Sequence, residues 1–338
     1  MIHGHGDDLY SHGQTIKYNF SSNVDRHQDY SGLRTFLTSR IACIHSYPEP
    51  SAQSLVTTLS GILHIEEETL LATNGATEAI YLIAQCFAGS KTGIIIPTFS
   101  EYEDACSLNK HQLSFYNRIE DIPSGLDLVW LCNPNNPTGS ITDKSVLEKC
   151  LSTHSNTLFV IDQSYEYFST HTVFSAEEAQ LYPNLILLHS MTKHFSIPGL
   201  RLGYITAQSQ IIKQIETYKM PWSVNQLAIE AGKYLLTQHK SKANIESHLI
   251  ETKRMMKELS ALPTLKVFDS ETHFFLIQLN KGTAPKLKRY LIDEHGILIR
   301  DASNFRGLGA QYFRIASQTK VENDILIKAI KEWISMHS

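Results

Sequence analysis

One lysine of the sequence has neighbours that suit covalent chemistry with a carbonyl compound. Lys193 comes shortly after the apolar run 185–188, and Ser190, Thr192 and Arg201 bracket it. Burial and nearby cations lower the pKa of a lysine, whose amine can then attack carbonyl groups. The hydroxyl and guanidinium groups beside it suit a phosphate. The segment alone is also consistent with an ordinary surface lysine that follows a strand.

A carboxylate and a phenol lie three residues apart after another apolar run. Asp162 follows the run 158–161, and Tyr165 comes next. A carboxylate at the end of an apolar strand is costly to bury unless it meets a cation or a strong hydrogen-bond donor. The pair is therefore a candidate for binding a protonated group, although aspartate at this place is also a common helix N-cap.

Two polar turns could hold an anion or a ring. The turn 73–78 runs directly into a helix, and the small residues Gly75, Ala76 and Thr77 leave N–H groups accessible to a phosphate. An Asn-Gly turn with a helix cap explains the same residues. The turn 133–139 contains two prolines and three asparagines. It is predicted to be a rigid functional loop, with a plain strand-to-helix connection as the alternative.

The elements that must position these residues are short buried strands. Unbroken apolar runs alternate with segments of helical spacing, at 93–96, 126–131, 157–161, 184–188 and 202–205. Strands buried on both faces have this pattern, and their alternation with helices predicts an α/β fold with a mostly parallel sheet. Ligands bind at the carboxyl ends of the strands in such sheets. The four polar features fall where this rule predicts a site.

The C-terminal third predicts a smaller α+β domain. A long amphipathic helix at about 224–260 precedes short strand-like segments at 266–268, 273–277, 297–299 and 312–316. Thr319 and Glu322 have capping-box spacing before a last helix. A chain of 338 residues is long enough for two domains. The predicted division is an N-terminal arm or part of the small domain at 1–40, a large domain at 41–225 and a small C-terminal domain at 226–338.

Composition excludes several classes of protein. The 30 basic and 34 acidic residues are interspersed, with a net charge of −4, which argues against a nucleic-acid or anionic-membrane surface. No apolar run approaches the roughly 20 residues that span a bilayer. Five cysteines without a C-x-x-C pair predict free thiols in a reducing compartment and no metal site. The N-terminus lacks a signal-peptide pattern. We therefore expect a cytoplasmic protein.

The four features together indicate a cofactor. An imine-forming lysine, a carboxylate, a phenol and an anion cradle are what pyridoxal phosphate requires. The motifs Asn-Gly-Ala-Thr-Glu, Asn-Pro-Asn-Asn-Pro-Thr-Gly, Asp-x-x-Tyr and Ser-x-Thr-Lys-x7-Arg occur in this order. The chain thereby resembles, over nearly its whole length, fold-type-I pyridoxal-phosphate enzymes of the class I/II aminotransferase family. No G-x-G-x-x-G follows a predicted strand, which excludes a nicotinamide enzyme.

The resemblance implies roles around the cofactor ring. Lys193 would form the imine with pyridoxal 5'-phosphate, and Asp162 would pair with the protonated ring nitrogen. Tyr165 and Asn136 would bind the phenolic oxygen, and Tyr102 would stack on the ring. The family commonly has Asp-Glu-Ala-Tyr where this chain has Asp-Gln-Ser-Tyr at 162–165, so the two outer residues are kept.

The resemblance also implies a phosphate site that two subunits share. The cofactor phosphate would be held by backbone and side-chain groups of Gly75, Ala76, Thr77, Ser190, Thr192 and Arg201. Tyr47 would reach the same phosphate from the partner subunit, which makes a homodimer part of the active site. A binding or regulatory protein on the same fold is the competing class, and the retention of the full catalytic set argues against it.

The resemblance to one subgroup of the family also implies the substrate-binding residues and the reaction. Within the family, several segments resemble histidinol-phosphate aminotransferases and, more closely, the L-threonine-O-3-phosphate decarboxylases of cobalamin biosynthesis, among them 219–228 and 297–300. Arg314 would bind the substrate carboxylate as a bidentate fork. The full set implied for a phosphorylated amino-acid substrate is Arg314, Arg300, Asn136, His5, Ser21 and Asn23. Decarboxylation is the predicted reaction, and transamination of histidinol phosphate or a related compound is the alternative.

Overall fold

Two sheets and a short strand pair organise the chain, which the computed structural model describes over residues 8–12, 16–238 and 245–337. The strands are β1 (Tyr18–Asn19), β2 (Leu70–Thr73), β3 (Lys91–Ile95), β4 (Gln112–Tyr116), β5 (Leu128–Cys132), β6 (Leu158–Asp162), β7 (Leu185–His189), β8 (Gly203–Ala207), β9 (Leu265–Val267), β10 (Phe274–Leu279), β11 (Ile297–Leu298), β12 (Arg300–Asp301) and β13 (Tyr312–Ala316).

Helices cover the sheets and connect their strands. They are α1 (Leu9–His12), α2 (Ser31–Arg40), α3 (Gln53–Leu63), α4 (Gly75–Cys86), α5 (Glu101–Leu108), α6 (Lys144–Thr153), α7 (Ala176–Ala179), α8 (Met191–His194), α9 (Ser209–Glu216), α10 (Gln226–Gln238), α11 (Ile245–Ser260), α12 (Ala284–His295) and α13 (Lys320–His337). The long helix predicted at about 224–260 corresponds to α10 and α11, and the segment between them lies outside the described residues. None of the helices described has the length and apolarity that crossing a membrane requires.

The larger sheet has seven strands in the order β2-β8-β7-β6-β5-β3-β4. All run in one direction except β8, which is antiparallel to both of its neighbours. The connection from β7 to β8 contains only the four-residue α8, whereas a parallel crossover is usually built around a longer helix. The chain therefore stays at the edge where β7 ends, and β8 starts there and runs back. The predicted α/β class with a mostly parallel sheet is confirmed.

Successive side chains of the buried strands pack alternately into two hydrophobic cores, one on each face of the sheet. On β5, Leu128 and Trp130 pack in the core on the side of α4 and α5. Val129 and Leu131 pack in the core on the other side, with α6. Fully burying an aliphatic side chain of this size contributes roughly 1.5–3 kcal/mol. Burial on both faces explains why this strand is an unbroken apolar run in the sequence.

The smaller sheet is antiparallel, in the order β12-β13-β10-β9. Its core includes side chains of α11, α12 and α13, and Phe20, which follows β1, is fully buried there. The predicted strand near 297–299 is divided, because β11 pairs with β1 while β12 pairs with β13. The predicted capping box opens α13, where Glu322 donates its N–H to the Thr319 hydroxyl at 3.4 Å. The domain boundaries stay a prediction.

The first residue of β8 must be a glycine because two backbone groups approach it. A Cβ on Gly203 would lie 2.8 Å from both the backbone nitrogen of Ala76 and the carbonyl oxygen of His189. We expect Gly203→Ala to lower the free energy of unfolding by about 1–3 kcal/mol, as overpacking does. Gly199→Ala is the matched control, since nothing lies within 4 Å of its Cβ position. Equal thermal stability of the two variants would contradict the prediction.

Candidate active site

A cavity of about 400 Å³ lies at the carboxyl edge of the larger sheet, within the usual size of a small-molecule site. The predicted residues that the structure brings together around it are Ser21, Asn23, Ala76, Thr77, Tyr102, Asn136, Asp162, Tyr165, Ser190, Thr192, Lys193, Arg201, Arg300 and Arg314. Gly75 borders it through Arg201. Tyr47 does not line this cavity, and its side chain is 84% exposed. His5 lies outside the described residues.

Asp162 ends β6 as a buried carboxylate with two donors. Its Oδ2 accepts a hydrogen bond from the Tyr102 hydroxyl at 2.7 Å, and its Oδ1 accepts one from the Ser164 N–H at 2.9 Å. Burial, together with the charge of Asp162, holds the pKa of Tyr102 well above its usual value, so this hydroxyl stays protonated. The Tyr102 ring also stacks on Trp130. The contact between Tyr102 and Asp162 was not predicted from the sequence.

Lys193 is presented by the short helix α8. The Ser190 side chain caps this helix by accepting the Lys193 N–H at 3.4 Å. The Lys193 Nζ lies 5.9 Å from the centre of the Tyr165 ring. Burial raises the pKa of Tyr165 above its usual range, and the nearby Arg314 charge opposes this only in part. The Tyr165 hydroxyl therefore remains a hydrogen-bond donor at neutral pH.

The N-terminus of α4 and Arg201 form an anion-binding corner. Gly75 begins α4 with a φ of +79°, and a Cβ there would lie 2.6 Å from the Arg201 guanidinium. Burial lowers the pKa of Arg201, since a buried cation is poorly solvated. Ser190 and Thr192 line the same cavity. An anion bound here would gain the helix dipole, free N–H groups and the guanidinium.

Two arginines of the smaller sheet face the cavity from paired positions. Arg314 on β13 is directly opposite Arg300 on β12. Arg314 donates to the Asn136 side chain and to the Ser21 carbonyl oxygen, so the rigid Asn-Pro loop and the N-terminal segment both hold it. Arg300 donates to Asn304 at 2.8 Å. Both arginines are almost fully buried.

Among the residues at the cavity that were missed at the sequence level, two contact Arg300. Phe305 lines the cavity, and its ring centre lies 5.2 Å from the Arg300 guanidinium carbon. Asn304 binds the same guanidinium. Both lie in the loop between β12 and β13, which has no helical or strand periodicity to mark inward-facing positions. The only available signal was their position between the two predicted substrate arginines.

The residues of the cavity fit pyridoxal 5'-phosphate. The corner at Gly75 and Arg201 is a cradle that a Cβ would fill, and its donors suit a phosphate. Asp162 offers a buried carboxylate to a protonated ring nitrogen, and Lys193 offers an amine to an aldehyde. The phosphate, the ring nitrogen and the aldehyde of the cofactor would thus each meet a complementary group in one cavity. The individual roles of these residues stay predictions.

The comparison with known families agrees with this fit. The sequence pattern of the family described as "Aminotransferase class I and II" matches residues 12–330. The crystal structure of L-threonine-O-3-phosphate decarboxylase from Porphyromonas gingivalis superposes with a TM-score of 0.92 at 40% identity, covering 94% of this chain and 99% of that one. A histidinol-phosphate aminotransferase structure from Sinorhizobium meliloti, solved in complex with pyridoxal-5'-phosphate, shares the fold with a TM-score of 0.85 at 18% identity, covering 97% and 93%.

Two relatives of known name are similarly close in sequence. The adenosylcobalamin biosynthesis bifunctional protein CobDQ of Leptospira interrogans is 32% identical over 92% of this chain, which spans only 38% of that longer protein. The histidinol-phosphate aminotransferase of a Thermoanaerobacter species is 31% identical, covering 86% of this chain and 84% of the relative. With the geometry above, these matches make the chain a pyridoxal 5'-phosphate-dependent enzyme of the class I and II aminotransferase family.

Proposed function

We propose that the protein decarboxylates L-threonine O-3-phosphate to (R)-1-amino-2-propanol O-2-phosphate and CO2, a reaction of cobalamin biosynthesis. The observation that carries the proposal is the pair of buried arginines, Arg300 and Arg314, at directly opposed strand positions beside one cavity. Like charges placed directly opposite each other on a sheet are unfavourable. A substrate with two anionic groups, a carboxylate and a phosphate, compensates this cost.

The protein residues have separate tasks in this reaction. Arg314 would bind the carboxylate and Arg300 the phosphate, so that both ends of the substrate are fixed and rotation about its Cα bonds is restricted. Pyridoxal phosphate, when bound, accepts the electron pair of the bond broken at Cα. Loss of CO2 leaves Cα one proton short, and the Lys193 Nζ is the amine in the cavity that would return it. Asp162 would keep the ring nitrogen of the cofactor protonated.

Transamination is the runner-up because the same residues serve it. The relatives include threonine-phosphate decarboxylases and histidinol-phosphate aminotransferases at nearly equal identity. The orientation of one bond at Cα decides between loss of CO2 and loss of a proton. The higher identity, 40%, to the decarboxylase of known structure supports decarboxylation, against 28% to the histidinol-phosphate aminotransferase from Clostridium acetobutylicum.

The test is an end-point assay with cofactor-loaded protein and no keto acid. With L-threonine O-3-phosphate, we expect one CO2 and one aminopropanol phosphate per substrate consumed, over many turnovers. Absence of CO2, together with 2-oxoglutarate-dependent amino transfer from L-histidinol phosphate, would establish the aminotransferase instead. Both assays use the same holoenzyme, so a loss of cofactor cannot imitate either result.

We also propose a homodimer, supported by an exposed apolar patch. The patch consists of Ile41, Ile44, Tyr47, Met220 and Trp222, whose exposures range from 48% to 84%. The rings of Tyr47 and Trp222 are in contact, with centres 5.3 Å apart. Large exposed apolar side chains of this kind mark association sites when they lie together. A second copy of the chain is the partner that the predicted shared phosphate site requires. The cytoplasmic location stays a prediction.

Tyr47→Phe should weaken cofactor binding in the partner subunit. The variant removes one hydrogen bond to a charged phosphate, so we expect the cofactor Kd to rise about tenfold or more. Mixing this variant with Lys193→Ala at limiting cofactor should restore activity, because each hybrid dimer then contains one complete site. No recovery on mixing would contradict a contribution across the interface. Tyr218→Phe, at another exposed tyrosine, is the control.

A further inference from the structure

The loop between β12 and β13, residues 302–311, determines the direction of Arg300. Asn304 in this loop accepts a hydrogen bond from the Arg300 Nη2 at 2.8 Å. The Phe305 ring lies beside the Arg300 guanidinium and is itself only 4% exposed. Phe305 also packs with Leu276 in a small apolar cluster on the smaller sheet. The loop therefore helps to hold the guanidinium in its direction.

The same loop is attached to helix α5, beside the larger sheet, by an ion pair. Arg306 donates through Nε to the Glu103 Oε2 at 2.7 Å and through Nη2 to the Oε1 at 2.5 Å. The Arg306 guanidinium carbon also lies 4.1 Å from the centre of the Phe115 ring on β4. Isolated surface ion pairs contribute little, but a bidentate pair that also stacks on an aromatic ring is more specific.

Helix α5 connects this ion pair to the other end of the cavity. Glu103 follows Tyr102 on α5, and the Tyr102 hydroxyl donates to Asp162. Consecutive residues of one helix thus contact the carboxylate proposed for the cofactor ring and the loop that orients Arg300. The Glu103 side chain is 16% exposed, so its carboxylate is held close to the protein surface rather than extended into solvent.

We propose that Glu103 and Arg306 form a clamp between α5 and the loop 302–311, and that both are positioning residues that direct Arg300 at the substrate phosphate. The inference rests on the proposed function, because it takes Arg300 as the phosphate ligand. Without the clamp, the loop still packs on its own sheet but is no longer fixed to α5. Arg300 then binds phosphate less well, while the cofactor site at Lys193 is untouched.

The experiment measures ligand binding to the holoenzyme by rapid-mixing absorbance titration of the bound cofactor. The ligands are L-threonine O-3-phosphate and L-threonine, and as a second pair L-histidinol phosphate and L-histidinol. We expect Arg306→Met and Glu103→Gln to raise the Kd of the phosphorylated ligand about five- to tenfold and to leave that of its unphosphorylated counterpart unchanged. The Kd of the cofactor should stay at the wild-type value.

Two controls separate the clamp from general damage. Arg118→Met removes an exposed ion pair with Glu120 that does not touch the loop, and should leave every Kd unchanged. Exchanging the charges, by Glu103→Arg combined with Arg306→Glu, should recover at least half of the lost affinity.

Wild-type affinity for the phosphorylated ligands in Arg306→Met would overturn the clamp alone. An equal loss for phosphorylated and unphosphorylated ligands would overturn its action through Arg300. A wild-type enzyme that does not distinguish phosphorylated from unphosphorylated ligands would overturn the proposed function, and the clamp with it. The three results differ, so each failure identifies which inference is wrong.

Discussion

Lys193→Ala should lower turnover by about 10³-fold or more while leaving the fold intact. Lys193 is the one lysine among the described residues that line the cavity, so no second amine is placed to replace it. Its side chain is partly buried near Tyr165 and contributes little to the packing of the apolar core. The measurements are CO2 release, thermal unfolding, and borohydride reduction followed by mass spectrometry. The wild-type protein should retain the cofactor mass on the peptide that contains Lys193.

Lys213→Ala is the matched control because this lysine on α9 is exposed and does not line the cavity. It should keep wild-type turnover and the covalent cofactor mass. Substantial residual turnover in Lys193→Ala, or a reduced cofactor attached to a different peptide, would remove Lys193 from its proposed role.

Arg314→Ala should reduce kcat/KM by about 30- to 5,000-fold, which corresponds to a loss of about 2–5 kcal/mol for a buried charge pair deprived of one partner. Arg314 is 5% exposed and is held by Asn136 and by the Ser21 carbonyl oxygen. The substrate carboxylate would therefore meet a guanidinium whose direction is already fixed. Steady-state kinetics with the substrate established by the end-point assay provide the measurement.

Arg314→Lys tests whether geometry or charge is responsible. A lysine keeps the charge but cannot form two parallel hydrogen bonds to a carboxylate, so we expect an intermediate loss. If the cofactor Kd of both variants is unchanged, the loss of kcat/KM arises from the interaction with the substrate. A kcat/KM of Arg314→Ala within experimental error of the wild type would move the carboxylate site elsewhere.

The sequence was sufficient for the central strands of the larger sheet, which are buried on both faces, but it did not predict β2, which is also buried. β5, β6 and β7 are unbroken apolar runs, and the polar residues after them meet at one edge of the sheet, as the α/β rule requires. β4 was not predicted, because an edge strand half-covered by its neighbours has no continuous apolar run. The reversed direction of β8 depends on the path of the chain after β7, which apolar patterning does not encode.

The pairs within the site could not be predicted from spacing. The register that sets Arg300 opposite Arg314 depends on how the loop 302–311 closes, and many closures fit the same number of residues. Tyr102 and Asp162 are 60 positions apart and meet because the Tyr102 ring, stacked on Trp130 of β5, reaches Asp162 at the end of β6 with its hydroxyl. Motifs therefore identified which residues form the site, while tertiary packing determined which of them touch.

The pairing of β1 with β11 has a consequence for the order of folding. Tyr18 is aligned with Ile297, and the Phe20 carbonyl oxygen accepts a hydrogen bond from the Ala316 N–H. During synthesis, the segment around β1 therefore remains without these partners until residues far later in the chain have been made. The strands of the larger sheet, at 70–207, are all available before then. Since domains generally fold as units from the N-terminal side, we expect the larger sheet to form before the smaller one during translation.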